Sequence, residues 1–147
     1  MKQIVAREEY CIGCRLCEIN CIVHRSQSKN IITAFRHERE GLTPSVVVES
    51  SGQHNFAVQC RHCADAPCVE ACITGAMTRD PETGAVICDT KRCVSCWSCI
   101  MVCPAGAVMR GASGKPASKC DQCAGESEPC CVAGCPNAAL KWEEVKD

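Results

Sequence analysis

The chain has 147 residues and a net charge of −1, which excludes a surface built on basic excess for nucleic acid. Its 18 cysteines stand against two Trp, one Tyr and two Phe, too few large side chains for a conventional core. Cysteine-bound groups must supply what the core lacks: disulfides, zinc or iron–sulfur clusters.

In chain order, "MKQIVAREEY" is charged and lacks the apolar stretch of about ten residues that a secretory signal needs. No long apolar run follows, so no membrane span is expected. A reducing cytoplasm is the expected compartment, where dense cysteine means metal rather than disulfide. "KQIVA" reads as a first strand. Cys11, Cys14, Cys17 and Cys21 follow as a first group, in "CIGCRLCEINC". "SQSKNIITAFRHERE" then places Ile31, Ile32 and Phe35 at helical spacing, with Ser26 or Ser28 as the cap. "PSVVVES" and "HNFAVQ" read as two strands joined at "SSGQ". Residues 26–59 thus form a helix-plus-hairpin insert without cluster ligands, expected to cover metal sites or to dock a partner.

The second group is Cys60, Cys63, Cys68 and Cys72, in "CRHCADAPCVEAC". "DPETG" between two short apolar runs reads as a β-hairpin turn leading to the third group. That group is Cys93, Cys96, Cys99 and Cys103, in "CVSCWSCIMVCP". "PAGAVMRGASGKPASKC" reads as a looser hairpin, leading to Cys120, Cys123, Cys131 and Cys135 in "CDQCAGESEPCCVAGCP". "PNAALKWEE" supplies a last strand. Every group opens C-x2-C and closes C-x3-C, which accounts for 16 of the 18 cysteines.

A C-x2-C-x2-C loop curls around a [4Fe–4S] cube so that three thiolates reach three irons. A cysteine four residues further on lies one helical turn away and points at a neighbouring cube. This is the C-x2-C-x2-C-x3-C-P run of bacterial two-cluster ferredoxins. Pro104 and Pro136 complete it after Cys103 and Cys135; Ile22 and Ile73 stand in the proline's place after Cys21 and Cys72. Four-cysteine zinc sites instead pair two C-x2-C units across a longer loop, which fits the first and third groups poorly.

Sixteen ligands imply four [4Fe–4S] clusters with exchanged closing ligands. Cys60, Cys63 and Cys68 take Cys103, and Cys93, Cys96 and Cys99 take Cys72. Cys11, Cys14 and Cys17 take Cys135, and Cys120, Cys123 and Cys131 take Cys21. Cys130 is expected to face away from the metal, and Cys88 to be a packing residue in a hairpin strand. His62, inside a C-x2-C, is expected to be solvated, the alternative being that it tunes a cluster by charge or hydrogen bond, and His24, His37 and His54 are expected to lie on the surface. The expected fold class is α+β: two bacterial-type dicluster ferredoxin units, one inserted in the other, with short strands and helices around four cubane clusters. Residues 1–25 plus 115–147 form the outer unit, 26–59 the insert and 60–114 the inner unit.

No G-x-G-x-x-G, G-K-[ST] or nucleophile motif is present, so the expectation is an electron carrier and not an enzyme by itself. The four-group pattern resembles the polyferredoxin subunits of molybdenum or tungsten oxidoreductases, hydrogenases and CO dehydrogenases. "CIGCRLCEINC", "HRSQSKNIITAF", "FAVQCRHCADAPCVEACITGAM" and "CVSCWSCIMVCP" most resemble CooF-type proteins. That resemblance implies an anaerobic carrier passing low-potential electrons from CO dehydrogenase to a flavoprotein oxidoreductase or a hydrogenase. The alternative is the small subunit of a tungsten or molybdenum aldehyde or formate oxidoreductase or of a hydrogenase. A structural zinc scaffold is the remote alternative.

Overall fold

A computed structural model describes residues 2–111, 114 and 119–145. Its elements assemble into two similar units, each made of a two-stranded antiparallel ribbon and two helices. In the first, β1 (Lys2–Ala6) pairs with β6 (Leu140–Glu144), with Ile4 opposite Trp142 and Ala6 opposite Leu140. Helix α1 (Leu16–Arg25) packs against α5 (Cys130–Ala133). At the crossing, a Cβ on Gly134 would displace the Asn20 side chain and come within 3.2 Å of the Cys130 carbonyl, a tight fit.

The second unit is local in sequence. Helix α3 (Pro67–Glu70), opened by Pro67 in the first turn, packs against α4 (Ser98–Met101). Strands β4 (Met77–Arg79) and β5 (Val86–Cys88) pair through the expected "DPETG" turn. Asp80 organises that turn: its carboxylate accepts from the Glu82 N–H at 2.9 Å and the Thr83 hydroxyl at 2.8 Å.

Between the first and second cysteine groups, β2 (Val46–Ser51) and β3 (His54–Gln59) form the expected hairpin. It seats on the first unit. The Val48 N–H donates to Glu18 of α1 at 2.7 Å, and the Gln59 amide donates to the Ile4 carbonyl at 2.9 Å. The preceding helical run departs from expectation. Helix α2 (Ile31–Thr33) continues as a π turn over Ala34–Glu38 and a 3-10 turn over Arg39–Gly41. Its cap is Asn30, whose side chain accepts from the Ile32 and Thr33 N–H groups, not Ser26 or Ser28. Ser26 is instead buried, donating to the Val23 carbonyl at the end of α1. This run turns its apolar face to solvent: Ile31, Ile32 and Phe35 are all exposed, while Ala34 is the buried residue.

The core is correspondingly small-residue and sulfur-rich. One cluster joins Ile4, Cys17, Cys21, Val46, Val48 and Leu140 with Cys60, Ala107, Cys120 and Cys131, and so spans both units. The other, around Cys68, Met77, Val86, Cys99 and Val108, lies within the second unit. The looser hairpin expected after Cys103 falls partly outside the described residues; its described start buries Ala107 and Val108. Among the described residues no helix is long and apolar enough to cross a membrane.

Candidate metal centres

Each cysteine group is shaped by left-handed residues at matching positions. Two residues after the first cysteine, Gly13, His62, Ser95 and Gln122 have φ of 70°, 47°, 59° and 58°. Just before the helix of the first and third groups, Arg15 and Trp97 have φ of 60° and 66°. Alternating right- and left-handed residues turn successive N–H groups to one side, forming an anion-binding concavity. His62, Ser95 and Gln122 accordingly donate their N–H groups to the sulfurs of Cys60, Cys93 and Cys120, each at 3.4 Å.

The closing cysteines share a second device. Cys72, Cys103 and Cys135 are each followed by a left-handed residue at the third position (Gly75, Gly106 and Ala138) and a buried alanine at the fourth. The Ala76, Ala107 and Ala139 N–H groups donate back to those sulfurs at 3.2, 3.4 and 3.2 Å. Burial pushes the Cys72 thiol up, but N–H and hydroxyl donors from Met77, Thr74 and Ala76 outweigh it and the net shift is downward. Cys21 lacks this turn because α1 continues through it to Arg25. Its donor comes from the insert instead, as the Ser45 N–H at 3.2 Å.

Three cavities collect cysteines from different groups. One is lined by Cys11, Cys14, Cys17 and Cys135. A second is lined by Cys21, Cys120, Cys123 and Cys131, with Cys130 beside them. A third is lined by Cys72, Cys93, Cys96 and Cys99, with Cys88 beside them. In the remaining group, burial pushes the Cys68 thiol up, and the nearby Cys60 and Cys103 add to the rise against Lys119. All 18 cysteines are free. Four soft sulfur donors around one space, with backbone N–H groups aimed at the sulfurs, fit an iron–sulfur cube.

Several neighbours depart from expectation. His62 is fully buried rather than solvated, because its left-handed backbone turns the ring beneath β5. Its Nδ1 accepts the Val86 N–H at 2.8 Å, and its Nε2 has no protein partner among the described residues. Burial, with the charges of Lys119 and Arg79, pulls its pKa down to about 4 and leaves the ring neutral. A neutral ring with Nδ1 accepting carries its proton on Nε2, an unspent buried donor beside Cys60 and Cys63. Cys130 does not face away: its sulfur lies 3.3 Å from that of Cys123, and His24, half-buried, stands beside both. Hydrogen bonding to Cys130 holds Cys123 down at about 6 and drives Cys130 up. Cys88 lines the third cavity, its thiol raised to about 12 by burial and then by Cys93 and Cys99. His54 is exposed, as expected, and meets Glu8 at 2.9 Å.

Lys119 belongs to none of the recurring sequence motifs. It is buried, its Nζ donates to the Cys60 sulfur, and the Arg25 guanidinium donates to its carbonyl at 3.2 Å.

Comparison with known proteins agrees with this architecture. Residues 53–145 match the 4Fe-4S dicluster domain. The chain is 35% identical over 153 residues to the electron transport protein HydN of Escherichia coli, covering 93% of this chain and 85% of that one. It is 34% identical over 158 residues to an iron-sulfur protein of Rhodospirillum rubrum, covering 97% and 82%. It spans only 21% of the E. coli putative oxidoreductase AegA, at 34% identity over 94% of this chain. A structure of the BamBC active site complex of benzoyl coenzyme A reductase shares the fold, with a TM-score of 0.52 and 22% identity. That match covers 100% of this chain and 82% of the other. The α+β fold of paired ribbon-and-helix units is therefore that of two ferredoxin units, and the chain belongs to the 4Fe-4S dicluster domain family.

Proposed function

We propose that this chain is an electron-transfer subunit holding four [4Fe–4S] clusters in a row, with the exchanged ligand sets given above. The observation that carries the reading is the composition of the three cavities: each gathers three cysteines of one group and the closing cysteine of another. A bound [4Fe–4S] cluster supplies one-electron storage, and the chain's part is to space, shield and bias each site.

The ligand sets also order the row. Cys17 and Cys21 lie one turn apart on α1, which makes the Cys11 and Cys120 sets neighbours. Cys68 and Cys72 stand in the same relation around α3, which makes the Cys60 and Cys93 sets neighbours. Cys60 and Cys120 lie in one buried core cluster and join the two pairs. Cys14 and Cys96, both exposed, then mark the two ends of the row. Relatives that carry electron transport in their names support the carrier role.

The donor is CO dehydrogenase and the acceptor a flavoprotein oxidoreductase or hydrogenase, in the cytoplasm of an anaerobe. This finer reading is supported by the CooF-like sequence segments. Anaerobic purification from the native source, with metal analysis and identification of the co-eluting large subunit, tests it. About sixteen irons per chain and a nickel enzyme are expected. A molybdopterin or tungsten enzyme would overturn the CO dehydrogenase reading and keep the relay. Zinc in place of iron would overturn both.

A further inference from the structure

We infer that Lys119 is a positioning residue for electron transfer, a buried cation that raises the reduction potential at the junction of the two units. The inference rests on the four-cluster reading and adds a site that biases the middle of the row.

Three observations carry it. First, Lys119 is 5% exposed, and a lysine is almost never buried to that degree without a specific partner. Second, its partner is a sulfur assigned to a cluster: Nζ donates to Cys60, which shares one core cluster with Cys120. Cys60 and Cys68 belong to the inner unit, whereas Cys120, its own chain neighbour, belongs to the outer one. The ammonium therefore faces the two middle ligand sets at once. Third, the surroundings fix it there. Arg25, at the end of α1, donates to its carbonyl through both guanidinium nitrogens at 3.2 and 3.4 Å. The same arginine donates to the Ser45 hydroxyl, one residue ahead of β2. Helix, insert and junction are thus tied at one residue.

The direction of the effect follows from charge alone. Adding an electron makes a site more negative, and a fixed cation in a poorly screened interior stabilises that state. A donated hydrogen bond to a ligand sulfur acts in the same direction. Only an electron moves in the step: one site is oxidised by one electron as its neighbour is reduced by one, with no bond formed or broken. Lys119 keeps its proton throughout. Its role is to lower the energy of an electron resting between the exposed ends of the row, so that crossing from one unit to the other is not the uphill step.

The test is an anaerobic EPR-monitored redox titration of the purified chain and of Lys119→Met and Lys119→Arg. In Lys119→Met the midpoint potentials of the two middle clusters should shift negative while those of the two terminal clusters stay in place. Lys119→Arg, which keeps the charge, should remain closer to the wild type. Unchanged potentials in an iron-replete Lys119→Met, or an equal shift at all four sites, would overturn the inference. Should that variant lose iron, the wild-type protein grown with 15N-lysine decides. Its reduced form should show a lysine 15N coupling by pulsed EPR, and absence of that coupling would overturn the inference. A wild type lacking four clusters would instead overturn the underlying reading.

Discussion

The two units use the same parts and close in opposite ways. The inner unit closes locally, its ribbon β4–β5 joined by a turn that Asp80 organises. The outer unit closes through β1 and β6, strands from opposite ends of the sequence. Its helix α1 is also longer, ten residues against four in α3, and this displaces the turn that follows the other closing cysteines. The missing sulfur donor is then supplied from the insert by Ser45. Ligand geometry is thus a property of short local turns, whereas the pairing of ligand sets is a property of chain closure. A failure of closure should damage the outer unit alone.

The largest effect expected removes what both units share. Anaerobic chelation of iron should abolish most of the secondary structure seen by circular dichroism, because sulfur ligation here substitutes for large side chains. An apo chain that keeps native-like spectra would mean that neither unit depends on metal for its fold. Next in size, deletion of residues 140–147 removes β6 and leaves β4–β5 untouched. It should cost about half the bound iron, the share of the outer unit, while the inner pair stays EPR-active. Uniform loss across all clusters would show that the units are not separable.

Gly134→Ala places a methyl against Asn20 and the Cys130 carbonyl where α1 meets α5, and should destabilise the iron-loaded protein by about 1–3 kcal/mol in denaturant unfolding. A neutral result would mean that the α1–α5 crossing is loose. The smallest effect is expected for Cys130→Ser. Cys130 lies beside Cys123 but outside the repeated C-x3-C step, so iron content and EPR intensity should match the wild type. Loss of the outer-unit signal would instead make Cys130 a ligand.

Much of this was legible in the sequence, for identifiable physical reasons. The four groups announce themselves because each opens C-x2-C and closes C-x3-C around a variable middle step, and the "DPETG" hairpin because Pro, Asp and Gly encode its turn. "KQIVA" and "PNAALKWEE" read as strands, and they pair with one another. What the sequence hides is whatever depends on backbone handedness or distant approach. His62 reads as a polar residue in a loop, yet a left-handed φ at a non-glycine position turns it inward. Ile31, Ile32 and Phe35 share a face as their spacing suggests, but that face is exposed and Ala34 is the buried residue, which periodicity alone does not reveal. Lys119 is one lysine among many until the second unit places Cys60 against it.

The crossed assignment is tested most directly by Cys21→Ser, read by cluster-resolved EPR titration. Cys21 belongs to the first cysteine group by sequence, yet it lines the cavity of Cys120, Cys123 and Cys131. Loss or alteration of the cluster held by that set is expected, with the signal of the Cys11, Cys14 and Cys17 cluster intact. Loss of the Cys11-set signal with the Cys120-set signal preserved would contradict it.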